Sequence, residues 1–149
     1  MSLTETLLAD EAVRKQIVAA ATQVLEAEVR DKRGLTGVAV KGGFKVVKGV
    51  RPGIIPLTIN DLLPEFLKAV EPFYDQWKAN PGGRTIREHF VANGGGVADA
   101  LLAITDGRAE KSTHRTLVKA YKKLRPMGKE HVSASMPRVG ELIQRFAPQ

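Results

Sequence analysis

A chain of 149 residues lies near the commonest size of a single domain and points to one core, and its 43% hydrophobic and 26% charged side chains argue against a disordered chain. It has no cysteine, so a disulfide framework, a cysteine-ligated zinc site and a thiol nucleophile are excluded. The net charge of +7 is segregated: residues 32–52 hold six basic and no acidic side chains, 108–149 hold ten basic and three acidic, and the segments 1–31 and 53–107 are each acidic in balance. Segregation of this kind bears on partners and solubility, not on fold.

The N-terminus Met1-Ser2-Leu3-Thr4-Glu5 lacks the basic start and apolar run of a signal peptide. No apolar stretch approaches the roughly 20 residues that span a bilayer. A cytoplasmic, soluble protein is the expectation. Aromatics are only 5%, so the core must be built from Leu, Val, Ile and Ala, a composition that suits helix-on-helix packing.

Thr4–Ala9 reads as a short opening turn. Asp10 then reads as an N-cap, and Val13, Ile17, Ala20, Ala21, Val24 and Ala27 recur at three- and four-residue spacing on one helical face. This helix should end near Arg30–Gly34. From Leu35 to Val50 the pattern is again helical despite Gly42 and Gly43, with Leu35, Ala39, Val46 and Val50 on one face, flanked by Gly43, Val47 and Val40, and Lys41, Lys45 and Lys48 opposite. An alternating strand reading competes, because glycine costs about 1 kcal/mol inside a helix. The separation of lysines from aliphatics favours the helix.

Arg51-Pro52-Gly53 punctuates the chain. Thr58–Leu63 predicts a short helix, with Pro64 in the first turn of the next and Pro72 kinking or dividing that one. Asn80-Pro81-Gly82-Gly83 is a loop, and Thr85 with Glu88 forms a capping-box pattern before a helix to Ala92. Asn93-Gly94-Gly95-Gly96 reads as a break and flexible connector. Val97, Leu101, Leu102 and Ile104 mark a helix ending near Asp106-Gly107, and Ser112 should cap a basic helix through Leu124. A last helix is expected from about Lys129 to Phe146, with Pro137 as a kink or break. About six helices with short loops predict a single all-α bundle over 1–149, with kinks at Pro64, Pro72 and Pro137.

Two clusters carry the candidate partner-binding residues. The first is the row Lys41, Lys45 and Lys48, continued by Arg51. The second is Arg115, Lys119, Lys122 and Lys123 on neighbouring helical positions. A basic amphipathic helix can meet nucleic-acid phosphates, an acidic protein surface or anionic lipid headgroups. A solvated face is the plainer reading of either cluster, and adjacency of the two cannot be read from sequence.

No catalytic or metal site is expected. His89, His114 and His131 are too scattered for a metal, and no Gly-x-Ser-x-Gly elbow is present. Gly94–Gly96 lacks the lysine and hydroxyl of a phosphate loop. Glu88, Asp99 and Asp106 leave open an alternative, a small enzyme or ligand-binding protein with a carboxylate-lined pocket. A second alternative is a helical homo-oligomer in which Gly42 and Gly43 allow close subunit packing. Phe73 and Trp77, one turn apart, should anchor the core. No cofactor is expected.

The run from Asp31 through Lys48 into Arg51-Pro52-Gly53 resembles a small bacterial family known as a domain of unknown function. So do Leu62-Leu63-Pro64-Glu65-Phe66, Ala98-Asp99-Ala100-Leu101-Leu102 and Ala120-Tyr121-Lys122-Lys123-Leu124-Arg125. The resemblance implies a stand-alone soluble protein of about this length. It carries no chemistry to transfer.

Overall fold

The computed structural model describes residues 1–148, and among them no strand is found. The helices are α1 (Leu3–Leu8), α2 (Glu11–Asp31), α3 (Gly34–Lys48), α4 (Ile54–Ala79), α5 (Ile86–Ala92), α6 (Gly94–Lys111), α7 (Arg115–Leu124), α8 (Gly128–Ala134) and α9 (Met136–Phe146), with a 3₁₀ turn at Arg125–Met127. The protein is all-α, as its composition and periodicity lead one to expect.

The main core is assembled from α1, α2, α4, α5, α6 and α9. Along α4, Leu63, Leu67, Val70 and Tyr74 are buried at spacings of four, three and four, one stripe of a 3.6-residue helix. Against it lie Leu3 and Leu7 of α1, Ile17 of α2, Phe90 of α5, Val97 of α6, and Met136 and Ile143 of α9. Neither α3 nor α7 contributes to this cluster. Only Gly37 is buried in α3 and only Ala120 in α7, so this pair is peripheral to the core.

Local chemistry explains most of the boundaries. Ser2 accepts a hydrogen bond from the Glu5 amide, and Asp10 from the Ala12 amide, each satisfying a free donor at a helix start. The Thr85–Glu88 capping box forms as its spacing predicts. α1 is tied to α4 because Thr4 donates from its amide and hydroxyl to Glu71 Oε1, at 2.9 and 3.0 Å. Those donors hold the Glu71 carboxyl below the usual range, the Thr4 amide foremost. Phe73 and Trp77 pack against the core, and the Trp77 indole N–H donates to the Arg84 carbonyl at 2.7 Å, clasping the loop after α4.

Several boundaries differ from expectation. α4 is one helix through both Pro64 and Pro72, not two. A proline at position 64 leaves the Asn60 carbonyl without its helical donor. Arg14 of α2 supplies one instead: its guanidinium donates to the Asn60 carbonyl at 2.8 Å and to the Asn60 side-chain oxygen at 2.9 Å. The substitution Arg14→Ala should therefore cost about 1–2 kcal/mol, read as a fall in the thermal midpoint. In a Pro64→Ala background, which restores the amide donor, most of that cost should vanish; an undiminished cost would show that Arg14 acts elsewhere.

Gly94, Gly95 and Gly96 form the first turn of α6 and not a connector. Their lack of side chains lets the helix approach its neighbours: a Cβ on Gly94 would lie 3.3 Å from Met136 Cγ, and one on Gly96 3.3 Å from the Phe73 ring. Ser112 ends α6 rather than starting α7, and its hydroxyl accepts from the His114 amide. His114 caps α7 through Nδ1. The expected terminal helix is broken at Ser135 into α8 and α9, which places Pro137 in the first turn of α9, where a missing N–H costs nothing.

Candidate functional site

The two basic clusters lie on helices that pack against each other. Gly43 of α3 faces Leu124 of α7 so closely that a Cβ there would sit 2.6 Å from Leu124 Cδ1. The second glycine, Gly42, faces open space. Gly43 is thus occupied by contact within the chain. Beside this contact runs a groove of about 430 Å³, lined by Ala39, Gly42, Gly43, Val46, Ala120 and Leu124 and bordered by Lys119 and Lys123.

Lys41, Lys45, Lys48, Arg51, Arg115, Lys119, Lys122 and Lys123 are all exposed. Among the described residues none of them pairs with a carboxylate, and Lys48 instead lies 5.4 Å from the Phe44 ring centre. Several cations elsewhere are engaged. Arg108 bridges Asp61 and Glu65 at 2.9 and 2.7 Å, Lys129 holds Asp99 at 3.0 Å, and Arg138 joins Glu28 and Asp31 across α2 and α9. No acidic residue occurs in α3 or α7, so nothing local neutralises their lysines.

The face of α3 that packs is the expected one only in part. Gly37 is buried, and Ala39, Val40, Gly43, Phe44, Val47 and Val50 are half-buried, while Leu35 is 91% exposed, Val38 69% and Val46 49%. Of the four residues expected inward, Ala39 and Val50 are half-buried and Leu35 and Val46 are exposed, so the packed face is displaced toward Val40, Gly43 and Val47. The glycines account for this, because a helix with glycine on its inner side can seat closely against α2 and α7, and no bulky aliphatic could do so. The consequence is an exposed aliphatic stripe adjoining Lys41, Lys45 and Lys48.

On the opposite side of α7 lies a larger cavity of about 830 Å³ between α3, α4, α6 and α7, lined by aliphatics such as Leu62, Ile104, Leu117 and Val118 and by the ion-paired Asp61, Glu65 and Arg108. At its border Tyr121 donates to Asp106 and meets the Thr105 hydroxyl at 2.7 Å, and Arg125 Nε donates to Asp106 at 2.8 Å. Arg125 foremost, then Tyr121, keeps the Asp106 carboxyl below its usual range, and burial pushes the Tyr121 phenol up. This network joins residues 15 and 19 positions apart on different helices. Nothing local in the sequence signals it.

Glu88, Asp99 and Asp106 are given separate tasks. Glu88 completes a helix cap, Asp99 pairs with Lys129 on the surface, and Asp106 belongs to the tyrosine network. None of the three lines either cavity. Among the described residues no group of three or more His, Asp or Glu side chains could hold a metal ion.

Among the described residues no helix is long and apolar enough to cross a membrane. No curated protein matches the chain, and no solved structure does. One family model matches residues 3–147, nearly the whole chain, and by that match the protein belongs to the Family of unknown function (DUF6918).

Proposed function

We propose that this protein is a non-catalytic binding protein whose α3–α7 surface holds an anionic partner. One observation carries the reading: eight exposed cations from two distant segments are gathered on and beside two packed helices that hold no acidic residue. Like charges with no carboxylate beside them repel one another. An anionic partner relieves that repulsion and draws binding energy from counterion release.

The test is binding of the full chain to labelled duplex and single-stranded DNA, to polyglutamate and to anionic vesicles, each across a salt series. At least one should bind at low salt, with affinity falling steeply as salt rises, by a log–log slope of about −0.9 per phosphate neutralised on duplex DNA. Absence of binding to all four at low salt would overturn the reading.

The cavity under α7 favours a second reading, a carrier of a small apolar ligand, since its volume of about 830 Å³ and aliphatic lining suit one. Fluorescence of an anilinonaphthalene sulfonate dye that is lost on filling the space with Ile104→Trp would support it; fluorescence unchanged by the filling would remove it.

A further inference from the structure

We infer that the partner of the α3–α7 surface is an anionic phospholipid bilayer, on which the protein docks with α3 lying along the interface; this rests on the reading of that surface as anion-binding. The observation beyond charge is the aliphatic stripe. Leu35, Val38 and Val46 follow one another along the outer face of α3, with Gly42 between the last two, and all three are substantially exposed. Of the seven large hydrophobic residues that reach solvent anywhere among the described residues, three stand on this one helix. Isolated exposed aliphatics need no explanation, but a row of them beside a row of free lysines does.

The arrangement is that of an interfacial amphipathic helix. Lys41, Lys45 and Lys48 run along one flank of the stripe, and Lys119 and Lys123 of α7 stand across the groove on the other. Aliphatic side chains can enter the acyl boundary of a bilayer while lysines on both sides reach phosphate headgroups. Such docking lays α3 along the surface, and among the described residues no helix is long and apolar enough to cross the membrane.

A nucleic acid satisfies the lysines but gains nothing from Leu35 or Val38. It would favour exposed aromatic platforms instead, and here Phe44 is half-buried and Tyr121 is committed to Asp106. An acidic helix of a partner protein would need an apolar trough to receive its own side chains. Beside Ala39, Gly42, Gly43 and Ala120 the groove lining holds only two larger aliphatics, Val46 and Leu124, and the two most exposed residues of the stripe, Leu35 and Val38, lie outside it. A protruding aliphatic suits a partner that yields around it, and a bilayer does.

The experiment is co-sedimentation of the full chain with vesicles of mixed phosphatidylglycerol and phosphatidylcholine, and with phosphatidylcholine alone, at near-physiological salt. The expected result is binding to the anionic vesicles only. Replacing Leu35, Val38 and Val46 together with Ser should weaken vesicle binding at least about tenfold while leaving the helical spectrum and any residual DNA binding unchanged. Replacing Lys41, Lys45 and Lys48 with Ala should weaken it by about fivefold per lysine, on the order of a hundredfold together. Full vesicle affinity in the serine variant would overturn the bilayer as partner, as would serine substitutions that change only the sedimentation coefficient of the free protein. Binding to DNA or polyglutamate without binding to vesicles would also overturn it, yet leave the anion-binding reading standing. Failure to bind any of them overturns both.

Discussion

Phe90→Ala should lower the stability of this protein by about 3–5 kcal/mol. Phe90 is 0% exposed and occupies the contact between α5, α4 and α9. Its ring meets Phe73 edge-on with centroids 6.4 Å apart. Its Cβ lies 3.0 Å from where a side chain on Gly140 would begin, so α9 is pressed directly on α5. Surroundings this tight cannot collapse to fill the void, and the cavity adds its own cost to the lost apolar transfer. In a domain of this size each kcal/mol moves the thermal midpoint by roughly 2–4 °C, so a fall on the order of 10 °C is expected by calorimetry. Leu35→Ala provides the contrast. With its side chain almost wholly in solvent, it should change stability by less than about 0.5 kcal/mol. Equal destabilisation by the two substitutions would mean that Leu35 is covered, and the aliphatic stripe would no longer be a free surface.

Reversing Lys41, Lys45 and Lys48 to Glu should reduce affinity for an anionic partner by at least about a hundredfold, since each lysine near such a surface is worth about fivefold and reversal replaces attraction with repulsion. The fold should survive, because none of the three lysines holds a carboxylate of this chain. Lys45 and Lys48 lie in the last turn of α3, where a positive charge favours the helix dipole. Their reversal should cost about 0.3–1 kcal/mol each, seen as a small drop in midpoint with an unchanged helical spectrum. Net charge falls from +7 to +1 in this variant, so bulk charge must be separated from position. Lys15, Lys68 and Lys78, exposed on α2 and α4, allow that when reversed together. Comparable weakening in both variants would reduce the α3–α7 surface to a share of the overall charge and sink the proposed function.

Much of the helical content was legible locally. Asp10 and Thr85 cap the helices they were expected to cap, because an N-cap is a contact between a side chain and an amide two or three residues on. The chain breaks at Arg51-Pro52-Gly53 and at Asn80-Pro81-Gly82-Gly83 follow from residues that forbid or relax the helical backbone, Gly53 among them at φ of 73°. The lysine row of α3 and its lack of acidic neighbours are likewise properties of spacing alone.

The misread elements are those where a distant residue supplies the deciding contact. Pro64 divides a helix in isolation, yet α4 continues because Arg14, fifty positions earlier, satisfies the carbonyl the proline leaves bare. Gly94–Gly96 reads as a break in sequence, but Met136 and Phe73 give three glycines a packed place in α6. Ser112 is a good cap that lost its position to His114 once α6 extended to Lys111.

By itself, then, the sequence determined the helical class, the caps and turns, and the two blocks of positive charge, since each depends on residues within a few positions of one another. Only the tertiary structure decided that those blocks lie on packed helices and that Leu35, Val38 and Val46 face outward beside the lysines. The periodicity of α3 allows several rotations about its axis, and a helix face acquires its inward side only from what packs against it, here Leu124 closing on Gly43.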